Sequence, residues 1–144
     1  MNRKPNSKDI DAEHHIQLGL TQALCDAVSD DADPALIDEI IEQLVAYSDM
    51  HFMSEQLLMR LSSYPGYDSH ALDHDALMER LESIKQQYSS FGEQPFTLPE
   101  AKAILAFLDD HINTQDRRFI DYYCDWYRRR SKCESFHFSF VSTV

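Results

Sequence analysis

Apolar residues recur at alternating spacings of three and four along most of the chain, as in helices that bury one face. The pattern predicts four helices. They run from about Ile10 to Val28, from Pro34 to about Leu61, from Ser69 to about Ser89, and from about Leu98 to Arg130. Four amphipathic helices joined by short connections predict an all-α fold, an up-down-up-down antiparallel four-helix bundle.

Helix-start signals support two of these boundaries. Asp33 before Pro34 is typical of an N-cap followed by the first helical turn. Thr97 and Glu100 have the spacing of a capping box, in which each side chain bonds to a backbone N–H at the helix start. The dipeptide Pro65-Gly66 marks a turn that folds the third helix back toward the second.

A chain of 144 residues with 3 glycines and 5 prolines has the size and composition of one helical domain. We expect residues 1–9 to form a flexible tail, residues 10–130 to form the bundle with a break at 91–95, and residues 131–144 to form a C-terminal extension or linker. Phenylalanines alternate with other residues in this extension, which is the periodicity of a strand.

Composition argues against several classes of function. The formal net charge of -12 disfavours nucleic-acid binding, which needs a basic surface. No apolar run approaches the ~20 residues that cross a membrane, and the polar start of the chain lacks the apolar core of a signal peptide. The 3 cysteines are odd in number and lack metal-type spacing. We therefore expect free thiols and a cytoplasmic protein.

Several positions on the inward helix faces carry a histidine or a carboxylate instead of an apolar residue. His14 heads the inward row of the first helix. His51 and Glu55 are four residues apart in the second helix and therefore share a face, as do His70 and His74 in the third. An unpartnered carboxylate in a core costs on the order of several kcal/mol, so we expect Glu55 to have a partner.

The fourth helix contributes His111 and Asp116, which lie on adjacent lines of its inward surface. Five residues of regular helix separate two side chains by about 140°. The pair converges if Asp116 reaches sideways or if the helix carries a local bulge. Five of the 7 histidines and two carboxylates thus fall on the inward faces of four helices, which a purely structural core does not require.

Metal binding accounts for this set better than packing does. Structural zinc prefers four ligands, commonly including cysteine, so seven nitrogen and oxygen ligands are too many for one such ion. Two six-coordinate ions, bridged by the two carboxylates and by a solvent-derived oxygen, fit the number of ligands. The five histidines then divide as three and two, which leaves one ion with an open position for a small molecule. A nitrogen-rich pair of irons suits dioxygen.

In their order along the chain, these residues resemble the hemerythrin family, in particular its bacterial branch, the bacteriohemerythrins. The resemblance covers about residues 10–125 and includes all seven ligand positions. Its motifs are Asp11-Ala12-Glu13-His14, His51-Phe52-x-x-Glu55 with Met59, Tyr64-Pro65, His70-x-x-x-His74 and His111-Ile112-x-x-x-Asp116.

The resemblance implies a non-haem, oxo-bridged di-iron centre that binds O2 reversibly. Carried over by position, it implies three roles: a saturated iron held by His70, His74 and His111, an open iron held by His14 and His51, and bridges from Glu55 and Asp116. The apolar residues Leu18, Leu77 and Leu108, one turn from ligands, are expected to keep water out of the centre.

The function that the resemblance implies is O2 binding for sensing and signalling, or for delivery or storage, and not enzymatic turnover. Bacterial members of the family often serve as sensory modules, so a fused or separate signalling output domain, such as a diguanylate cyclase, is a conceivable partner. The alternative is a di-iron enzyme, namely an oxidase, a peroxidase-like protein or a nitric-oxide-handling protein. A weaker third option is plain iron or zinc buffering. Di-iron oxygenases in bundles are rich in carboxylates, so five histidines against two carboxylates favour reversible binding.

Overall fold

The structure, a computed structural model, describes residues 7–88 and 96–141, with side chains described for 11–88 and 96–131. It contains five α-helices and one π-helical turn: α1 (Ser7–Ser29), α2 (Pro34–Leu61), α3 (Tyr67–Gln87), α4 (Leu98–His111), the π-helical turn Ile112–Asp116, and α5 (Arg117–Val141). The last three follow one another without a break, so the described chain forms four long helical segments. It has no strand within these residues, which confirms the all-α prediction.

The ends of the first and last helices differ from the predicted ones. α1 begins at Ser7, three residues before the predicted start. α5 continues to Val141, so the backbone is helical where the alternating phenylalanines indicated a strand. The first six residues of the predicted tail and the predicted break at 91–95 lie outside the described residues. The division into tail, bundle and extension therefore stays a prediction.

One of the two predicted helix caps is present and the other is not. The Asp33 carboxylate accepts a hydrogen bond from the backbone N–H of Ala35 at 3.0 Å, which confirms the cap of α2. Thr97 is the N-cap residue of α4, but its side chain makes no capping hydrogen bond, so the predicted capping box is wrong. Glu100 instead accepts a hydrogen bond from the Tyr88 hydroxyl at 2.7 Å, so its carboxylate contacts the end of α3 and not the start of its own helix.

The apolar core is built from the helices that the pattern predicted. α1 packs against α2 and α4, and α2 packs against α3. The buried apolar cluster contains Leu24, Cys25, Ile41, Leu44, Val45, Phe52, Leu77, Leu81, Ile84, Phe96, Ala101, Ile104 and Leu108. Within the described residues, no helix is both long enough and apolar enough to span a bilayer.

The inward row of α3 is as predicted, whereas that of α1 is confirmed only in part, since His14, Thr21 and Cys25 are buried and Leu18 and Val28 are not fully so. Every predicted inward residue of α3 from His70 to Ile84 is buried. In α1, Leu18 is only partly buried, and Gln17 and Leu24 are fully buried in its place. Because α1 contacts α2, α4 and α5, its most protected line lies between these neighbours, which its own sequence does not specify.

Candidate metal centre

Seven buried histidine, glutamate and aspartate side chains converge from the four helical segments. None of them is more than 4% exposed. Two overlapping groups have ligand atoms that all lie within 4.8 Å of one another. The larger group contains Glu55, His70, His74, His111 and Asp116. The smaller group contains His14 and His51 with the same two carboxylates. The structure thus brings all seven predicted residues together and divides the five histidines as three and two.

Each shared carboxylate presents one oxygen to each group. Glu55 Oε1 lies 2.7 Å from His70 Nε2, and Glu55 Oε2 lies 3.5 Å from His51 Nε2. Asp116 Oδ1 lies 3.1 Å from His111 Nε2, and Asp116 Oδ2 lies 3.1 Å from His14 Nε2. A carboxylate that divides its oxygens in this way is placed to bridge two cations.

The π-helical turn determines the position of Asp116. In this turn the Arg117 N–H bonds to the carbonyl of Ile112, five residues earlier, and not to one four residues earlier. The wider turn returns Asp116 to the face that carries His111. Of the two routes by which this pair could converge, the local bulge is therefore confirmed.

Outer hydrogen bonds set the tautomers of two histidines. His51 Nδ1 lies 2.9 Å from Glu13 Oε2, and His74 Nδ1 lies 3.0 Å from Gln56 Oε1. These oxygens can only accept, so each Nδ1 donates its proton and each Nε2 directs a lone pair into the cluster. Burial lowers the pKa of His74, which favours the neutral ring that a metal requires.

The outer role of these residues was not predicted from the sequence, although each is adjacent to a predicted ligand. Glu13 precedes His14 but contacts His51. Gln56 follows Glu55 but contacts a histidine of α3. Asp73 precedes His74, and its Oδ2 lies 3.8 Å from the Nδ1 of the α4 histidine. A polar residue next to a predicted ligand could have suggested such a role. The sequence does not show which neighbouring helix that residue contacts.

The polar atoms at the centre of the cluster fit a bound cation. Several buried atoms lack a hydrogen-bond partner among the described residues: His14 Nε2, His51 Nε2, Glu55 Oε1, Glu55 Oε2 and Asp116 Oδ2. They nevertheless lie close to one another, as the distances above show. Buried carboxylate oxygens and imidazole lone pairs at such distances repel unless a metal ion or a proton lies between them. Imidazole and carboxylate ligands suit several transition metals, and iron is one of them.

The protonation of the metal-free cluster also indicates a site for positive charge. Burial alone would lower the pKa of His14 and His70, but their contacts with Asp116 and Glu55 raise both values to about 9. Burial would raise the pKa of Glu55, but the surrounding histidines lower it to about 2. The pKa of Asp116 lies well below its usual range for the same reason. Without metal, the positive charges of two protonated imidazoles thus neutralise the negative charges of the two carboxylates. Bound cations would take over this role.

Apolar and aromatic side chains enclose the cluster. The Phe52 ring stacks on His74 with a centroid distance of 4.1 Å, and Phe119 meets His70 edge-on at 6.3 Å. Leu77 and Leu108 are buried, as their predicted role as walls requires. The third predicted wall, Leu18, is only partly buried.

Comparison with known proteins gives a consistent result. A family model described as the hemerythrin HHE cation binding domain matches residues 6–123. A bacteriohemerythrin from Clostridium acetobutylicum is 25% identical over 85 residues, or 59% of this chain and 66% of that protein. A bacteriohemerythrin from Pseudomonas paraeruginosa is 29% identical over 113 residues, or 78% of this chain and 71% of that protein.

A myohemerythrin from Theromyzon tessulatum is 26% identical over 110 residues, which cover 76% of this chain and 79% of that protein. The match thus spans slightly less than two thirds of the length of the Clostridium protein and a larger share of the other two. No solved structure matches the chain.

Proposed function

This chain belongs to the hemerythrin family, and from that premise we propose that its buried cluster holds two iron ions and binds O2 reversibly. The observation that carries the proposal is the pair of overlapping ligand groups, with three histidines in one, two in the other and both carboxylates in common. The names of the relatives, bacteriohemerythrin and myohemerythrin, support it.

The proposed ligands follow the two groups. His70, His74 and His111 would hold one ion, and His14 and His51 would hold the other. Glu55 and Asp116 would be shared by the two ions, because each presents one oxygen to either group. The second group therefore offers one protein ligand fewer than the first, and O2 would bind where that ligand is missing.

The protein's own residues prepare the site for the ions. The carboxylate of Glu13 and the amide of Gln56 hold two imidazoles with the lone pair of Nε2 directed inward. Phe52 stacks on His74, and Leu77 and Leu108 are buried one turn from His74 and His111, so these apolar groups would keep bulk water from the ions. Bound iron(II) would supply the electrons that make O2 binding favourable.

We propose binding without turnover because of the donor set. Di-iron oxygenases in bundles commonly combine several glutamates with Glu-x-x-His pairs. In this cluster imidazoles outnumber carboxylates by five to two. Neither Glu55 nor Asp116 has a histidine three residues after it. An imidazole-rich pair of ions carries less negative charge from its ligands and is less able to support strongly oxidising chemistry.

The finer features of the protein are also proposals. We propose the up-down-up-down topology, which the packing of α1 on α2 and α4 and of α2 on α3 supports. We propose O2 sensing as the role in preference to delivery or storage, with a fused or separate output domain and a cytoplasmic location. This choice rests on the family alone.

The test is anaerobic loading of the full chain with iron(II), followed by exposure to air and then by removal of O2. The proposal expects about two irons per chain and a visible absorption band that appears with O2 and disappears without it. Irreversible oxidation, together with continuous O2 consumption when a reductant is added, would instead identify a di-iron enzyme. Stable binding of a single ion would contradict the shared-carboxylate arrangement.

A further inference from the structure

A buried polar pair lies one helical turn along α1 and α2 from the two histidines of the smaller group. Gln17 on α1 is 1% exposed and Ser48 on α2 is fully buried. The Gln17 Nε2 amide donates a hydrogen bond to Ser48 Oγ at 2.9 Å and so joins the two helices. Gln17 lies three residues after His14, and Ser48 lies three residues before His51. Both side chains therefore lie on the helix faces that carry these histidines.

This pair is not what packing alone would select. Burying an amide costs free energy unless its hydrogen bonds are made, whereas a leucine of similar size would add to the apolar core. The bond to Ser48 uses one of the two N–H groups of the Gln17 amide. The second N–H is thus a neutral donor within the protein interior, one helical turn from the side of the cluster that has fewer ligands.

We propose that Gln17, positioned by Ser48, donates a hydrogen bond to the small molecule that binds at the ion held by His14 and His51. The inference rests on the proposed function and adds a ligand preference to it. In a pocket lined only by apolar groups, the bond to the metal is the one polar interaction that holds the ligand. An amide donor adds a bond to any ligand whose free end accepts one, so this site favours O2 and small anions such as azide.

The amide carries no charge, so its contribution does not depend on pH near neutrality. Ser48 acts as a positioning residue, because its hydroxyl oxygen receives one amide N–H and thereby fixes the side chain of Gln17. Thr21 supplies a matched control. It is also fully buried on α1, but it lies seven residues from His14, and its hydroxyl donates to the Gln17 backbone carbonyl at 2.8 Å.

The experiment measures the affinity of azide for the oxidised, iron-loaded full chain by spectroscopic titration. Gln17→Leu is expected to weaken azide binding about tenfold, and Ser48→Ala a few fold, since a hydrogen bond to a charged group is lost or loosened. Thr21→Val is expected to leave the affinity unchanged. The rate of O2 release should rise in the same order.

A second measurement separates this role from a structural one. Gln17→Leu should retain two irons per chain, and the metal-free variant should keep its full helix content by circular dichroism, because the exchange replaces an amide by an apolar group of similar size. Equal azide affinities in Gln17→Leu, Ser48→Ala and the unsubstituted protein would overturn the inference and leave the proposed function standing. If the unsubstituted protein with two irons bound neither azide nor O2, the proposed function itself would fail.

Discussion

Asp116 lies five residues after His111, yet its Oδ1 is 3.1 Å from the Nε2 of His111. A regular helix would direct these two side chains about 140° apart. The π-helical turn Ile112–Asp116 contains the extra residue and returns both side chains to one face. π-helical turns occur mostly as single turns within α-helices and are frequent at functional sites, and here the turn places a carboxylate that both ligand groups share.

Removing one exposed residue from this turn should preserve the site. Deletion of Asn113 places the histidine and the aspartate four residues apart, a spacing at which a regular helix already presents both to one face. We expect the deletion variant to retain about two irons per chain and its full helix content by circular dichroism. Insertion of an alanine at the same point is the matched control, and it should abolish iron binding. If the deletion variant lost its iron while keeping its full helix content, the π-helical geometry itself would be needed.

Two alanine variants should differ in the number of ions that they lose. Glu55 belongs to both ligand groups and His51 to one. We therefore expect Glu55→Ala to lose both irons and His51→Ala to retain about one iron per chain. Metal analysis of the purified proteins, with circular dichroism to verify folding, makes the comparison. Equal iron contents in the two variants would contradict the division into two groups.

Gln56 is expected to matter for metal affinity although it provides no ligand atom. Its Oε1 accepts the His74 Nδ1 proton at 3.0 Å, which orients the ring. Replacement by leucine should weaken iron binding by roughly 10- to 100-fold, the usual effect of losing such a partner. Gln22→Leu is the control, because Gln22 is exposed and bonds to Asp26 on the same helix. Competition with a chelator measures both variants.

The stability of the metal-free protein should depend on pH in a defined direction. The pKa values of His14 and His70 are about 9 in the folded protein and have a usual value of 6.5. Groups with raised values stabilise the fold fully below pH 6.5, and this contribution is lost as the pH rises through 9. Urea unfolding of the chelator-treated protein should therefore show a lower free energy of unfolding on the alkaline side.

The iron-loaded protein provides the comparison for this dependence. Bound ions replace the protons of both rings, so its stability should not fall over the same alkaline range. A His14→Gln variant of the metal-free protein should show a smaller alkaline loss than the unsubstituted protein, since one of the two titrating groups is absent. Identical pH profiles for all three samples would contradict the assignment.

The helical periodicity of the sequence was sufficient to predict the all-helical fold and the inward position of the seven cluster residues, but not the convergence of Asp116 with His111, which diverge on a regular helix. Spacing along one helix determines which side chains share a face, as for His51 with Glu55 and His70 with His74. The cap at Asp33 is equally local, because its acceptor and donor are two residues apart. The division of five histidines into three and two also follows from the ligand count, without any interhelical distance.

Only the tertiary structure showed how the helices meet. Glu13 contacts a histidine of α2 although it lies beside His14, and Gln17 joins Ser48 across the same interface. Such contacts depend on the rotation and offset of one helix against another, which the pattern within each helix does not specify. The tertiary structure also decided between a sideways reach and a bulge at Asp116. A π-helical turn changes which backbone carbonyl an N–H bonds to, and the pattern of apolar and polar residues does not reveal that change.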